Sequence, residues 1–198
     1  MEIKAFNRWG TESIKVEDEG LRDYINLSPK IVPKTGARYA GNRFHKSKIF
    51  IVERLINKLM ISGHKGKKHK TTSGRNTGKA LSAYELVEKA FRQIEGKLNK
   101  NPVEVFVRAL ENAAPREEII TIEYGGARYP KAVEVSPQRR IDLALRYMTQ
   151  GVYQSAFDSK KSSVNALVEE IINAYNSSAQ SDAIAKKYEL ERQADSSR

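Results

Sequence analysis

From Ser47 onward, most of the chain consists of stretches in which apolar residues recur every three or four positions, broken by short runs of glycine, proline or serine. Ile49, Val52, Leu55, Ile56 and Leu59, with Met60 beside them, share one helical face, so a helix is expected to run to about Ser62-Gly63. A second helix is expected from Ser82, where Ser82 and Glu85 have capping-box spacing. Leu86, Val87, Ala90, Phe91, Ile94 and Leu98 give it a broad stripe. "NPVEVFVRALENA" repeats the device: Asn101 caps, Pro102 fits the first turn, Glu104 closes the box, and Val103, Phe106, Val107 and Leu110 face inward. Pro115 then stops the helix.

The period changes next. "EEIITIEY" and "ARYPKAVEV" flank Gly125-Gly126, and glycine tolerates the positive φ that a two-residue hairpin turn demands. Ile120, Ile122 and Tyr124 fall on one face going out, and Tyr129, Lys131, Val133 and Val135 on one face returning. Pro130 cannot donate to a ladder, so its strand is an edge there. A ribbon of two strands is marginal alone, so this arm is expected to lean on RNA or on a neighbouring protein.

Helical spacing returns after Ser136-Pro137, with Ile141, Ala144, Leu145 and Met148 on one side and Arg139, Arg140 and Arg146 mostly off it. Arginines in a first turn oppose the helix dipole, so Arg139 and Arg140 call for an anionic partner. A serine-capped helix follows, carrying Val164, Leu167, Val168, Ile171 and Ile172. The last, capped by Ser181, has only Ile184, Tyr188 and Leu190 as larger apolar residues and belongs on the surface or on a partner. The expectation is a mainly α fold: a bundle of about six helices with a protruding two-stranded β-hairpin arm at about 117–135. The division expected is an N-terminal extension and basic arm, 1–48, and a helical domain, 49–198.

Charge changes this picture more than composition does. The formal net charge is +11. Residues 1–27 hold four basic and six acidic groups, whereas 28–48 and 64–79 each hold six basic groups and no acidic one; 80–198 balance at seventeen of each. Charge of one sign gathered into two segments around one apolar helix suits a polyanion. The first segment, "SPKIVPKTGARYAGNRFHKSK", lacks periodicity and interleaves Tyr39 and Phe44 with Arg38 and Arg43, as expected of an arm that orders on RNA. The second, "HKGKKHKTTSGRNTGKA", has nothing to pack and must be solvated or bound.

Other chemistries find little support. There is no cysteine, so disulfides, thiolate zinc sites and a cysteine nucleophile are excluded. The first residues lack the apolar core of a signal peptide, and no apolar run is long enough to span a membrane. "NSS" at Asn176 therefore reads as a chance sequon. His64 and His69 lack the cysteines or nearby carboxylates of a metal site. In "GRNTGKA", three residues rather than four separate the glycines and Ala80 stands where a phosphate loop has Ser or Thr. No cofactor is expected.

At "GGARYPKAVEVSPQRRIDLALRYM" the chain resembles the universal small-subunit ribosomal protein seven family, whose eukaryotic counterpart is small-subunit ribosomal protein five. The resemblance continues through "KKSSVNALVEEIINAYNSSAQSDAIAKKYELERQADSSR" and upstream through "NPVEVFVRALENAAPRE". Bacterial members join their first two helices by a short turn with Gly-Lys-Lys or Gly-Lys-Arg. The longer "GHKGKKHKTTSGRNTGKA" here, with the N-terminal extension, resembles the archaeal or eukaryotic type.

The resemblance implies a structural, non-enzymatic, cytoplasmic protein in the head of the small ribosomal subunit. It implies binding to the 3′ major domain of small-subunit rRNA, a part in nucleating head assembly, neighbouring ribosomal proteins, and a position near exit-site tRNA and mRNA. Two basic segments held by a packed helix can clamp an RNA junction by neutralising phosphates. The residues expected on one side are Lys30, Lys34, Arg38, Arg43 and Lys46, and on the other Lys65, Lys67, Lys68, Lys70, Arg75 and Lys79. Arg139 and Arg140 would root the arm, and Gly125, Gly126, Arg128, Tyr129 and Lys131 would lie nearest mRNA and tRNA. Two other classes remain as alternatives. One is an RNA-processing enzyme using Glu123, Glu134 and Asp142. The other is a helix-turn-helix nucleic-acid binder, for which no short base-reading second helix is evident.

Overall fold

The computed structural model describes residues 3–61 and 76–198. In chain order the elements are α1 (Glu19–Arg22), a 3-10 turn (His45–Lys48), α2 (Ile51–Leu59), α3 (Ala80–Leu98), α4 (Pro102–Ala113), β1 (Glu117–Tyr124), β2 (Ala127–Glu134), α5 (Pro137–Ala156), α6 (Ser163–Tyr175) and α7 (Asp182–Asp195). The fold is therefore mainly α with a β-hairpin, and the six longer helices are those that periodicity indicates. α6 is the hub, packing against α3, α4, α5 and α7. Its neighbours enclose Phe91, Phe106, Leu110, Ile141, Leu145, Met148 and Leu167, all fully buried.

Caps agree with sequence where the backbone really turns. Asn101 accepts from Val103 N at 3.0 Å, Ser162 from Asn165 N at 3.2 Å and Ser181 from Ile184 N at 3.3 Å. Ser82 does not cap α3: the helix starts at Ala80, so Ser82 lies inside it, and Lys79 holds the N-cap without a side-chain bond. Ser136 is the N-cap of α5 but makes no capping hydrogen bond; Pro137, which has no N–H to satisfy, fills the first turn.

The N-terminal segment is part of the core. Ala5, Phe6, Trp9, Ile14, Val16, Leu21 and Ile25 are buried in the same cluster as the helices. Phe6 and Trp9 meet Phe91 edge-on at 6.1 and 5.9 Å between ring centroids, and Phe91 lies 5.9 Å from Phe106. Polar ties fix the same strap. Glu111 accepts from the backbone of Glu17 at 2.7 Å and Asp18 at 3.0 Å, and Asn101 Nδ2 donates to Gly10 O at 2.7 Å.

β1 and β2 pair antiparallel from Glu117↔Glu134 to Tyr124↔Ala127, with φ of 56° at Gly125 and 85° at Gly126. This two-residue turn keeps both strands in register without a bulge. The arm leans on its own chain rather than requiring RNA or a neighbour: α7 packs along both strands. Arg198 donates to both carboxylate oxygens of Glu117 at 2.5 and 2.6 Å, and Glu191 accepts from Arg116 N at 3.1 Å. This explains how so apolar-poor a helix docks. α7 buries Ala183, Ile184 and Ala194; Glu191 accepts from Arg116 N, Lys187 Nζ donates to Asn112 O at 2.8 Å, and Arg198 just beyond the helix adds its ion pair with Glu117.

Candidate nucleic-acid interface

Residues 28–48 form a loop closed at its base by one side chain. Asn26 Nδ2 donates to Lys48 O at 2.7 Å, while Asn26 O accepts from Ile51 N at 3.0 Å. Midway, the buried carboxylate of Glu53 accepts from both the N–H and the hydroxyl of Thr35 at 2.7 Å. Beyond these anchors Lys30, Lys34, Arg38, Arg43 and Lys48 are exposed. The Arg43 guanidinium stands 5.0 Å over the Phe44 ring, which is itself exposed, giving a flat cationic and aromatic surface. Lys46 behaves differently: its Nζ lies 2.6 Å from Asp142 on α5.

Asp142 organises a cluster that linear sequence conceals. Besides Lys46 it receives Arg54 of α2 at 3.2 Å; Arg54 is almost wholly buried and also donates to Tyr24 O. Burial acts to raise the Asp142 pKa, but the Lys46 hydrogen bond and the charges of Arg54, Lys46 and Lys58 outweigh it and hold the carboxyl below its ordinary value. One turn further along α2 stands Lys58, half-buried. Burial pushes its ammonium below the ordinary value; Asp142 opposes that, and Arg146, Lys46 and Arg54 add to it. Arg54, Lys58, Asp142 and Arg146 are absent from the rRNA-binding residues expected from sequence, where Asp142 figures only as a carboxylate of the enzymatic alternative.

The two arginines opening α5 part company. Arg139 forms a two-point contact with Glu118 of β1 at 2.6 and 2.7 Å, with about half its side chain exposed. Arg140 turns inward and is buried. It meets Asp18 at 2.6 Å and donates to Pro115 O at 3.2 Å. The anionic partner that the helix dipole calls for is thus supplied within the chain, by Glu118 and Asp18. Arg140 accordingly leaves the set of cations presented to solvent.

On the arm, the register sets Ile120 opposite Lys131 and Ile122 opposite Tyr129, so the two expected faces are one face. Tyr124 and Tyr129 are exposed, with ring centroids 6.5 Å apart. Arg128 and Glu123 pair on the other face at 3.6 Å, and Gly125, Gly126 and Lys131 are exposed. Lys79 is exposed just before α3, while Lys65, Lys67, Lys68, Lys70 and Arg75, like His64 and His69, lie outside the described residues.

The carboxylates of the enzymatic alternative do not converge. Glu123 is at the arm tip, Glu134 at its root opposite Glu117, and Asp142 is held by Lys46 and Arg54. Among the described residues no group of three or more His, Asp or Glu side chains could hold a metal, and no helix is long and apolar enough to cross a membrane.

Comparison with known proteins agrees over nearly the whole chain. A family model described as ribosomal protein S7p/S5e matches residues 21–198. The small ribosomal subunit protein uS7 of Nanoarchaeum equitans is 55% identical over the full length of both chains. That of Archaeoglobus fulgidus is 45% identical, over 100% of this chain and 96% of its own, and that of Methanothrix thermoacetophila is 42% identical, over 99% and 100%.

Proposed function

Since this chain belongs to the ribosomal protein S7p/S5e family, we propose that it is a structural component of the small ribosomal subunit that binds the 3′ major domain of its rRNA. It helps nucleate assembly of the head and extends its arm towards exit-site tRNA and mRNA. It works in the cytoplasm as one protein among neighbouring ribosomal proteins, with no reaction to catalyse. The observation that carries the reading is the segregation of charge. Six basic and no acidic residues lie on a loop whose base Asn26 pins to the core and whose Lys30, Lys34, Arg38 and Arg43 are exposed. Phosphate neutralisation by such a surface releases counterions and supplies affinity without reading bases. Lys65, Lys67, Lys68, Lys70, Arg75 and Lys79 form the second side of the clamp. Arg139 stands at the arm's root, and Gly125, Gly126, Arg128, Tyr129 and Lys131 form its far end, where glycine permits close backbone approach.

The test is a titration of the full chain with a 3′ major domain rRNA fragment and with duplex DNA of equal length, across a range of salt and with or without magnesium. Preference for the rRNA, with a steep salt dependence and no turnover, is expected. Neutralising Lys30, Lys34, Arg38 and Arg43, or Lys65, Lys67, Lys68 and Lys70, removes roughly 0.7–0.9 from the log–log slope per lost phosphate contact. Equal affinity for duplex DNA, or cleavage abolished by Glu134→Gln, overturns the reading.

A further inference from the structure

α7 lies along both strands of the arm, so whatever fixes α7 bears on the direction in which the arm leaves the bundle. Its apolar anchorage is small, only Ala183, Ile184 and Ala194 being buried. Its first turn meets two walls instead. One is Glu170 of α6, whose residue is 7% exposed. Glu170 Oε1 accepts from Ser181 Oγ at 2.8 Å and from Ala183 N at 3.1 Å, and Oε2 accepts from Asp182 N at 3.2 Å. The other wall is Gly151 of α5. A methyl group there would stand 2.7 Å from Asp182 Cβ and 2.6 Å from its Oδ2, so the turn comes this close only against glycine. Burying a carboxylate costs desolvation energy that an apolar side chain of the same size avoids. What the carboxylate adds is orientation. Two oxygens and three donors on consecutive residues leave one setting of the turn, and the negative charge faces the positive end of the helix.

We propose that Glu170 and Gly151 are positioning residues for the arm, forming a seat that sets the bearing of α7 and, through it, the direction of the hairpin. The far half of α7 carries that bearing to the arm's root. Lys187 Nζ donates to Asn112 O at 2.8 Å, Glu191 accepts from Arg116 N at 3.1 Å, and Arg198 meets Glu117. From Asp182 to Glu191 the helix runs about 14 Å, stiffened by its own hydrogen bonds. Arg139 on Glu118 ties the root to α5, and α7 supplies the second support. Strands of eight residues reach about 27 Å, so a tilt of about 5° at the root moves the tip by about 2 Å. What the arm touches rests on the exit-site role proposed above; the seat rests on the side-chain geometry alone.

The chain has no cysteine, so the test introduces two: Ala127→Cys at the arm tip and Gln93→Cys on α3, both exposed, carrying spin labels in the full chain without RNA. Pulsed electron–electron double resonance reads the tip-to-bundle distance, alongside the melting temperature. Glu170→Ala should broaden the distance distribution by about 2 Å or more, and Gly151→Ala should shift its mean by about the same. Glu170→Gln keeps the oxygen that serves Ser181 and Ala183 and should keep the wild-type distribution. Glu53→Ala is the control: it removes an equally buried carboxylate, bonded to Thr35 rather than to α7, and should lower melting without moving the tip. A Glu170→Ala protein that melts lower yet keeps the wild-type distribution overturns the proposal, making Glu170 a residue of the core alone. Should that variant fail to fold, Ser181→Ala decides by removing the shortest of the three bonds. A broadened distribution then sustains the seat, and an unchanged one removes it. In reconstituted translation Glu170→Ala should alter tRNA retention while its rRNA salt slope stays at the wild-type value. A moved tip with wild-type retention leaves the seat standing and removes the exit-site reading of the arm.

Discussion

Replacing Arg140 by Met separates two roles that sequence cannot distinguish. Met keeps most of the apolar stem and the helix propensity of Arg, so the change removes mainly the guanidinium. That group meets Asp18 at 2.6 Å and Pro115 O at 3.2 Å, with about a tenth of the side chain exposed. Breaking a fully buried pair costs about 3–5 kcal/mol. Asp18 keeps 25% of its side chain in contact with solvent, which reduces that to about 2–3 kcal/mol, and loss of the donor to Pro115 adds about 1 kcal/mol. At about 2–4 °C per kcal/mol for a chain of this size, melting should fall by roughly 6–16 °C. Arg139→Met removes a solvent-facing pair and should cost less than about 1 kcal/mol, or less than about 4 °C. Calorimetric melting at low and moderate salt, alongside rRNA titrations below the melting range, checks both. Arg140→Met should keep its salt slope and Arg139→Met should lose about one contact's worth. An Arg140→Met protein that melts within about 2 °C of wild type and binds rRNA with a reduced slope refutes the inward assignment.

Acid should unfold the protein partly through Asp142 and Asp18. Both are held below the ordinary carboxylate value, so their stabilisation is complete above the unfolded-state pKa and disappears as pH falls through the folded one. Asp142→Asn should therefore melt lower at pH 7 and lose less on acidification to pH 3. Parallel pH curves for mutant and wild type would contradict this. Glu170 has the opposite sign. Burial raises its pKa despite hydrogen bonds from Ala183 N, Ser181 and Asp182 N, so its ionisation weakens the fold as pH rises through the folded value. Gly151→Ala should destabilise by about 1–2 kcal/mol although alanine favours helices. The new methyl would lie 2.6 Å from Asp182 Oδ2 and 2.7 Å from its Cβ, and a melting temperature at or above wild type would show that α7 yields freely. Deleting Tyr124 to Tyr129 and closing with a two-residue turn should shift melting by less than about 2 °C and preserve subunit incorporation, because that tip is exposed. Reconstituted translation should show altered tRNA retention or frame maintenance, and unaltered behaviour would remove the functional role of the tip.

The helices and the hairpin were legible because local signals agree with tertiary ones. Asn101, Ser162 and Ser181 cap where periodicity begins, and Gly125-Gly126 fixes the register of the arm. Ser82 misled because an equally good capping pattern one turn inside α3 carries no mark that the chain has already turned at Lys79. The N-terminal strap was illegible for a different reason. Phe6, Trp9, Ile14 and Val16 sit on irregular backbone without period, and their partners Phe91 and Phe106 lie far along the chain. Charge was legible as a total and as blocks, but pairing was not. Arg140 and Asp18 are 122 residues apart, and Asp142 meets Lys46 and Arg54 across 96 and 88 residues.

The latch between Arg198 and Glu117 has a consequence for the order of events during synthesis. The hairpin leaves the exit tunnel many residues before α7, since β2 closes at Glu134 and α7 begins at Asp182. Through that interval the nascent arm lacks the helix that packs along it, and is tied to α5 by Arg139 on Glu118. Its root is held first by Arg139 on Glu118, and gains its second ion pair when Arg198 meets Glu117. A product stopped before α7 would carry both basic segments and would compete for RNA with an arm that α7 does not support. Support for the arm therefore arrives late in synthesis, from α7 and from a residue 81 positions after the one it meets.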